Sequence, residues 1–223
     1  MGAAQDEIAA RLMRLDSCAV SDALDKLGLH GCVTGLSPLS SMRKIAGRIH
    51  TVRLVAKDKV PPASGPPRHL GTTAIEACKP GEIIVVEQKS GVDAGSWGGI
   101  LSLGAKLRGV AGVVVDGPVR DIDEARQMDF PVFGRTATAR TARNRIVEVG
   151  TDIPVTIGDV TVLPGDYVLA DGSAVVFLSQ VDVEKVLEAA ETIAGREAAM
   201  AKALQDGKPI TEVMGADYEH MLK

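Results

Sequence analysis

The stretch GGILSLGAKLRGVAGVVVDGPVRDIDEA, residues 98–125, constrains the fold more than any other part of this 223-residue chain. Gly98 and Gly99 open a helix-like run over 99–108, a strand of small branched residues follows at 112–116, and DGPVRD reads as a loop. A helix feeding directly into a strand is the βα grammar of a layered α/β domain. The same unit puts two glycines at one end and the Arg120-Asp121-x-x-Glu124 cluster at the other.

The rest of the chain extends this pattern. Residues 5–15 and 19–28 read as two short helices, the second capped by Ser17 or Ser21 and ended by Gly28. Residues 46–56 alternate as a strand does. The stretch 59–71, with four prolines and two glycines, cannot join a sheet interior. A helix at 70–78 leads to the Pro-Gly turn and buried strand of KPGEIIVVEQ. A short helix at 122–128 and a strand around FPVFGR follow. From 146 to 178 short strands alternate with turns. A long amphipathic helix over 181–204, with Val183, Val186, Leu187 and Ile193 on one side, leads into a tail over 205–223 that is expected to be helical. Neither repeats nor linkers divide the chain, so one domain over 1–223 is expected.

Composition sharpens this. Hydrophobic residues make up 45% and aromatics only 3%, so the core must be built from Val, Ile, Leu and Ala. A formal net charge of −4 offers no broad basic field for nucleic acid. No apolar run reaches membrane-spanning length, the first fifteen residues lack a signal-peptide core, and a cytoplasmic protein is expected. Cys18, Cys32 and Cys78 lack Cys-x-x-Cys spacing and suit reduced thiols better than disulfides or a zinc site. His50 and His69 read as ordinary, because no second His stands at metal-ligand spacing. GVDAGSWGG lacks the Lys-Ser/Thr of a phosphate loop.

The chemistry gathers in the 98–124 unit. A helix N-terminus presents free N–H groups and partial positive charge, and Gly98 and Gly99 let a carboxylate approach the backbone closely. Arg120 offers a planar fork for a carboxylate. Asp121 is a hard oxygen ligand for a divalent ion, and Glu124 lies one helical turn on, on the same face. The bland readings are an ordinary turn and a solvated helix start. Asp116 either orients Arg120 or ends its strand, and Trp97 either walls the pocket or packs. Arg135, Arg140, Arg143 and Arg145 fit a solvated face or subunit interface, or recognition of a distal substrate carboxylate.

Gly99, twenty residues, then Arg120-Asp121 with Glu124 beyond resembles the signature of the RraA-like family, in which the first position is glycine or aspartate. The resemblance extends from VSDALDKLG through KPGEIIVVE to LPGDYVLADGSAVVF. This family includes the class II 4-hydroxy-4-methyl-2-oxoglutarate/4-carboxy-4-hydroxy-2-oxoadipate aldolases. The resemblance implies a swivelling β/β/α layered fold, assembled as homotrimers or homohexamers. It implies substrate binding by the backbone of Gly98, Gly99, Ile100 and Leu101 together with Arg120, and Mg²⁺ or Mn²⁺ on Asp121. The implied reaction cleaves a 4-hydroxy-2-oxo acid to pyruvate, with oxaloacetate decarboxylation as a side activity. Some aldolases of the family carry an acid/base aspartate at the position of Gly99, and Glu124 is the natural substitute. The alternative is a regulator that binds ribonuclease E, as some relatives are described to do.

Overall fold

The computed structural model describes residues 6–61 and 69–215. Most of the proline-rich stretch and the last eight residues of the expected helical tail lie outside them. Helices α1 (Glu7–Leu12) and α2 (Ser17–Lys26) lead into the two-residue strands β1 (Cys32–Val33) and β2 (Ser37–Pro38). The long β3 (Ile45–Ala56) begins an α/β half. It continues through α3 (Thr72–Ala77), β4 (Ile83–Glu87), α4 (Gly99–Leu107), β5 (Gly112–Val119), α5 (Ile122–Gln127) and β6 (Val132–Ala137). Then come β7 (Ile146–Thr151), β8 (Val155–Ile157), β9 (Val160–Val162), β10 (Tyr167–Ala170) and β11 (Val175–Leu178). The helices α6 (Val183–Gln205) and α7 (Ile210–Val213) end the described chain.

β3 joins the two halves. Its first four residues pair antiparallel with β10, its middle runs parallel to β4, and its end pairs antiparallel with β7. From β4 the sheet continues in parallel through β5 to β6, with β2 antiparallel at that edge. On the other side β10 leads to β11 and β1, all antiparallel. β8 and β9 form a separate hairpin.

Alternation along the strands sorts the layers. Ile84, Val86, Val113 and Val115 face α3, α4 and α5. Ile83, Val85 and Val114 face the second β layer, where Val155, Ile157, Val168 and Phe177 meet them. Burial on both faces explains why these parallel strands read as unbroken branched runs. The far side of β10 and β11 packs under α1, α2 and α6, including Val183, Val186, Leu187 and Ile193 as expected from their spacing. This is the mixed α/β architecture expected, a curled sheet layered between helices.

Several local expectations need correction. Asp16, not Ser17 or Ser21, caps α2, accepting the N–H of Ala19 at 2.8 Å. Gly28, with φ of 64°, does end that helix, because the left-handed turn there suits glycine. The first four residues of DGPVRD are not loop: Asp116–Val119 extend β5, with a register shift between Val115 and Pro118 that accommodates the proline. β1 and β2 are too short to show any period. Of the expected helical tail, Ile210–Val213 is helical after a break at Gly207, and the last residues are outside the described set.

Ser17 ties α2 to the turn before β11. Its N–H and hydroxyl donate to Asp171 at 2.8 and 2.7 Å. Burial opposes ionisation of Asp171, but these bonds and the N–H groups of Ser173 and Ala174 outweigh it and hold the carboxyl below its ordinary 3.8. A lowered folded pKa stabilises fully above the unfolded value and fades as pH falls through the folded one. Asp171→Asn is therefore expected to lower stability at neutral pH and to flatten its acid dependence below about pH 4. Urea unfolding from pH 7 to 2 checks this; parallel curves for the two proteins would remove Asp171 from the account.

Candidate active site

The loop before α4 zips onto the end of β5. Ser96 N–H donates to Pro118 O at 2.9 Å, and Arg120 N–H to Trp97 O at 3.0 Å. Gly95 N–H donates to Arg140 O on a third loop at 2.9 Å. Trp97 does not wall the pocket: it is 1% exposed, and its indole N–H donates to Ser102 Oγ at 3.0 Å. That hydroxyl in turn donates to Gly98 O, so the tryptophan holds the first turn of α4 from behind.

This register lays three glycines against three functional side chains. A Cβ at Gly95 would stand 2.7 Å from Arg120 Cγ, and one at Gly98 would stand 2.8 Å from Asp121 Oδ2. At Gly99 a Cβ would fall inside the Glu124 carboxylate, 2.7 Å from its Cδ. Arg120, Asp121 and Glu124 thus occupy the space that side chains at these three glycines would take. Sequence reasoning found Gly98 and Gly99 but missed Gly95, which lies outside the twenty-residue spacing.

Asp121 is the hub. With φ of 57° it sits in the left-handed region, which Asp tolerates better than most residues but which still costs of order 1 kcal/mol. That turn starts α5 and aims the carboxylate back at α4. Its Oδ2 accepts Gly99 N–H at 3.0 Å, and Arg120 Nε lies 3.1 and 3.2 Å from its two oxygens. One of the four donors expected to meet a substrate is thus already taken by protein. Among the described residues, the N–H groups of Ile100 and Leu101 and the terminal nitrogens of Arg120 meet no protein acceptor. The side chains of Arg120 and Asp121 are about one-third exposed, at 36% and 29%, and Glu124 is exposed, so all three are open to a ligand. Leu101 contributes backbone only, since its side chain packs in the core.

Asp116 does not orient Arg120. It is buried and accepts from Arg135 Nε and Gly158 N–H, each at 2.7 Å. Arg135 also donates to Thr34 O, Arg140 pairs with Asp93 at 3.1 Å, and Arg145 donates to Thr141 O. The arginine cluster is therefore largely engaged in holding loops together.

His50 is not isolated either. Its two ring nitrogens lie 2.9 Å from Asp152 Oδ1 and 3.0 Å from Glu82 Oε2, and Cys78 is close by. No chain spacing announces this group, because parallel pairing of β3 with β4 creates it.

Residues 17–177 match the model of the RraA-like family, described as Aldolase/RraA. A Halalkalibacterium halodurans protein provisionally named 4-hydroxy-4-methyl-2-oxoglutarate aldolase is 27% identical over 207 residues, 92% of this chain and 92% of its own. Protein DlpA of Legionella pneumophila is 27% identical over 202 residues, 91% of this chain but only 32% of that protein's length. An uncharacterized protein from Pseudomonas syringae has a solved structure that superposes with a TM-score of 0.82 at 26% identity, covering 96% of this chain and 100% of that one. A Streptomyces coelicolor protein described as an unusual member of the RNase ES inhibitor RraA family superposes at 0.77 with 24% identity, over 90% of this chain and 100% of its own, a likeness of fold.

Proposed function

The chain belongs to the RraA-like family, and on that footing we propose that it is a divalent-metal-dependent lyase. Its substrate is a 4-hydroxy-2-oxo di- or tricarboxylate, cleaved to pyruvate and a second oxo acid, with oxaloacetate decarboxylation as a companion activity. The observation that carries this reading is the nesting of Gly95, Gly98 and Gly99 against Arg120, Asp121 and Glu124. It gathers one guanidinium fork, free N–H groups and two carboxylates around a single helix start.

The donor set at this point is oxygen only, which fits a hard ion such as Mg²⁺ or Mn²⁺ that keeps several waters. Asp121 would hold it, and the Glu124 carboxylate borders the same Gly99. When bound, such an ion would supply Lewis acidity to the 2-oxo acid. Arg120 binds the substrate carboxylate with its terminal nitrogens, while its Nε stays on Asp121 and fixes the plane of the fork. The N–H groups of Ile100 and Leu101 add donors at the helix start. Glu124 takes the proton from the C4 hydroxyl as the C–C bond breaks, leaving the pyruvate enolate beside Arg120. Decarboxylation needs the same enolate but no such proton transfer.

Pyruvate release from a panel of 4-hydroxy-2-oxo acids and oxaloacetate, with and without Mg²⁺, tests the reading. Release that requires the metal supports it; no release from any member overturns it. The regulatory alternative, binding to ribonuclease E, rests on the family resemblance; the Streptomyces coelicolor neighbour, described as a member of the RNase ES inhibitor RraA family, is alike in fold. A complex with that ribonuclease that survives chelation, in a protein silent in the pyruvate panel, would favour it.

We also take the protein to be one domain that works as a homotrimer or homohexamer. Ile100 and Leu107 on α4 are each 79% exposed, with Leu103 between them at 42%, an apolar strip running from the helix start that carries the site. Light scattering at micromolar concentration is expected to give three or six chains; a monomer would count against the assembly. Among the described residues no helix is long and apolar enough to cross a membrane.

A further inference from the structure

The parallel strands have a second chemical cluster at the end opposite Arg120. Arg120 follows the last residue of β5, whereas Glu82 precedes the first residue of β4 and His50 lies across from Ile84. His50, Cys78 and Glu82 bring a ring nitrogen, a sulfur and a carboxylate oxygen within 4.8 Å of one another. The turn between Cys78 and β4 sets two of them. Glu82 N–H donates to Lys79 O at 3.1 Å, and Gly81 takes the φ of 90° that the turn after Pro80 requires. Lys79 N–H donates to Glu82 Oε2 at 2.7 Å and aims that carboxylate at the imidazole.

The imidazole is the telling group. Asp152 faces Nδ1 at 2.9 Å and Glu82 faces Nε2 at 3.0 Å. A neutral ring has one N–H for two carboxylates. If Asp152 takes it, as second-sphere carboxylates commonly do at metal-bound histidines, the Nε2 lone pair is left pointing at a carboxylate oxygen. A cation between them turns that repulsion into two bonds. Cys78 completes the group: it is 6% exposed, and its sulfur lies within 4.8 Å of both the ring nitrogen and the carboxylate oxygen. A divalent ion bound there would displace the thiol proton and take the thiolate as a ligand.

We propose that His50 Nε2, Cys78 Sγ and Glu82 bind one zinc-class cation, with Asp152 orienting the imidazole and solvent completing four-coordination. A nitrogen, sulfur and oxygen set selects Zn²⁺ over Mg²⁺, the reverse of the all-oxygen set at Asp121. Bonds of about 2.0–2.3 Å put tetrahedral ligands roughly 3.5 Å apart, and the three donor atoms already lie within 4.8 Å of one another. The ion links the end of α3 to β3 and β4. On this proposal His50 and Cys78, which chain spacing leaves unconnected with metal, share one ion.

The test is titration of chelator-stripped protein with Co²⁺, followed by Zn²⁺. The expected result is a thiolate-to-metal charge-transfer band that saturates at one Co²⁺ per chain, whatever the Asp121 site takes up without a band, is displaced by Zn²⁺, and is matched by a rise in Tm on adding Zn²⁺. Cys78→Ser should abolish the band, although Cys18 and Cys32 remain. His50→Gln, which keeps the thiol and alters a partly exposed side chain, should weaken Zn²⁺ binding by at least about 10-fold. Asp121→Asn should leave the band untouched, which keeps this site separate from the proposed lyase metal. Absence of a band in the unmodified protein would overturn the proposal. So would a band and affinity unchanged in both variants. In either case His50 would be a hydrogen-bonded link between Glu82 and Asp152 and nothing more.

Discussion

Asp121→Asn is expected to abolish metal-dependent pyruvate release while the protein stays folded. The carboxylate has three duties: it accepts Gly99 N–H, it fixes Arg120 through Nε, and it is the proposed anchor for the cation. Asn keeps an oxygen for Gly99 and tolerates the left-handed backbone at this position, so the start of α4 survives. It loses the charge, and with it the hard-metal ligand. Asp121→Ala removes the acceptor as well and forces a less tolerant residue into the same backbone, costing about 1–3 kcal/mol of stability. Against a typical total of about 5–15 kcal/mol, that variant should still fold. Both should lose turnover and any rise in Tm caused by Mg²⁺, while only the alanine variant unfolds clearly earlier without metal. Arg120→Lys, which keeps the charge but not the fork, should lower kcat/KM by about 10- to 100-fold for both substrate types, as expected for one charge-assisted hydrogen bond. Turnover in Asp121→Asn equal to that of the unmodified protein would remove Asp121 from the site.

What the sequence made legible follows from chain distance. Arg120, Asp121 and Glu124 lie within five residues and share a helix start, so local spacing was enough to group them. Gly98 and Gly99 were legible as a glycine pair opening a helix, but a second reason for them was not: a Cβ at either would meet Asp121 or Glu124. Gly95 makes the same accommodation for Arg120, but only the pairing of Ser96 with Pro118 reveals it. The layered fold was legible because residues 83–86 and 113–115 run apolar without alternation, the mark of strands covered on both faces. Groups assembled by strand register were not. Asp116 meets Arg135 and Gly158, and His50 meets Glu82, across chain separations that no period encodes. β1 and β2, at two residues each, carry no pattern to detect.

The nesting of Glu124 over Gly99 makes a sharper prediction about which reaction the site is built for. Aldol cleavage must take the proton from the C4 hydroxyl, whereas decarboxylation loses carbon dioxide without that step. Glu124→Gln keeps the shape and removes the base, so it should lower aldolase turnover by about 10²- to 10⁴-fold and decarboxylation far less. Position 99 supplies the converse. A side chain there collides with the Glu124 carboxylate, so Gly99→Asp alone should swing the exposed Glu124 side chain aside at little cost in stability and lower activity. Adding Glu124→Ala clears the space and leaves one carboxylate where two competed. The double variant should then recover aldolase turnover above both Gly99→Asp and Glu124→Ala, a strong positive coupling between residues twenty-five apart in the chain. Equal losses of both reactions in Glu124→Gln, with no recovery in the double variant, would show that Glu124 serves the metal shell rather than the proton. Recovery would show that the reaction needs a carboxylate at this place in space and accepts it from either end of the helix-strand unit, from α4 or from α5.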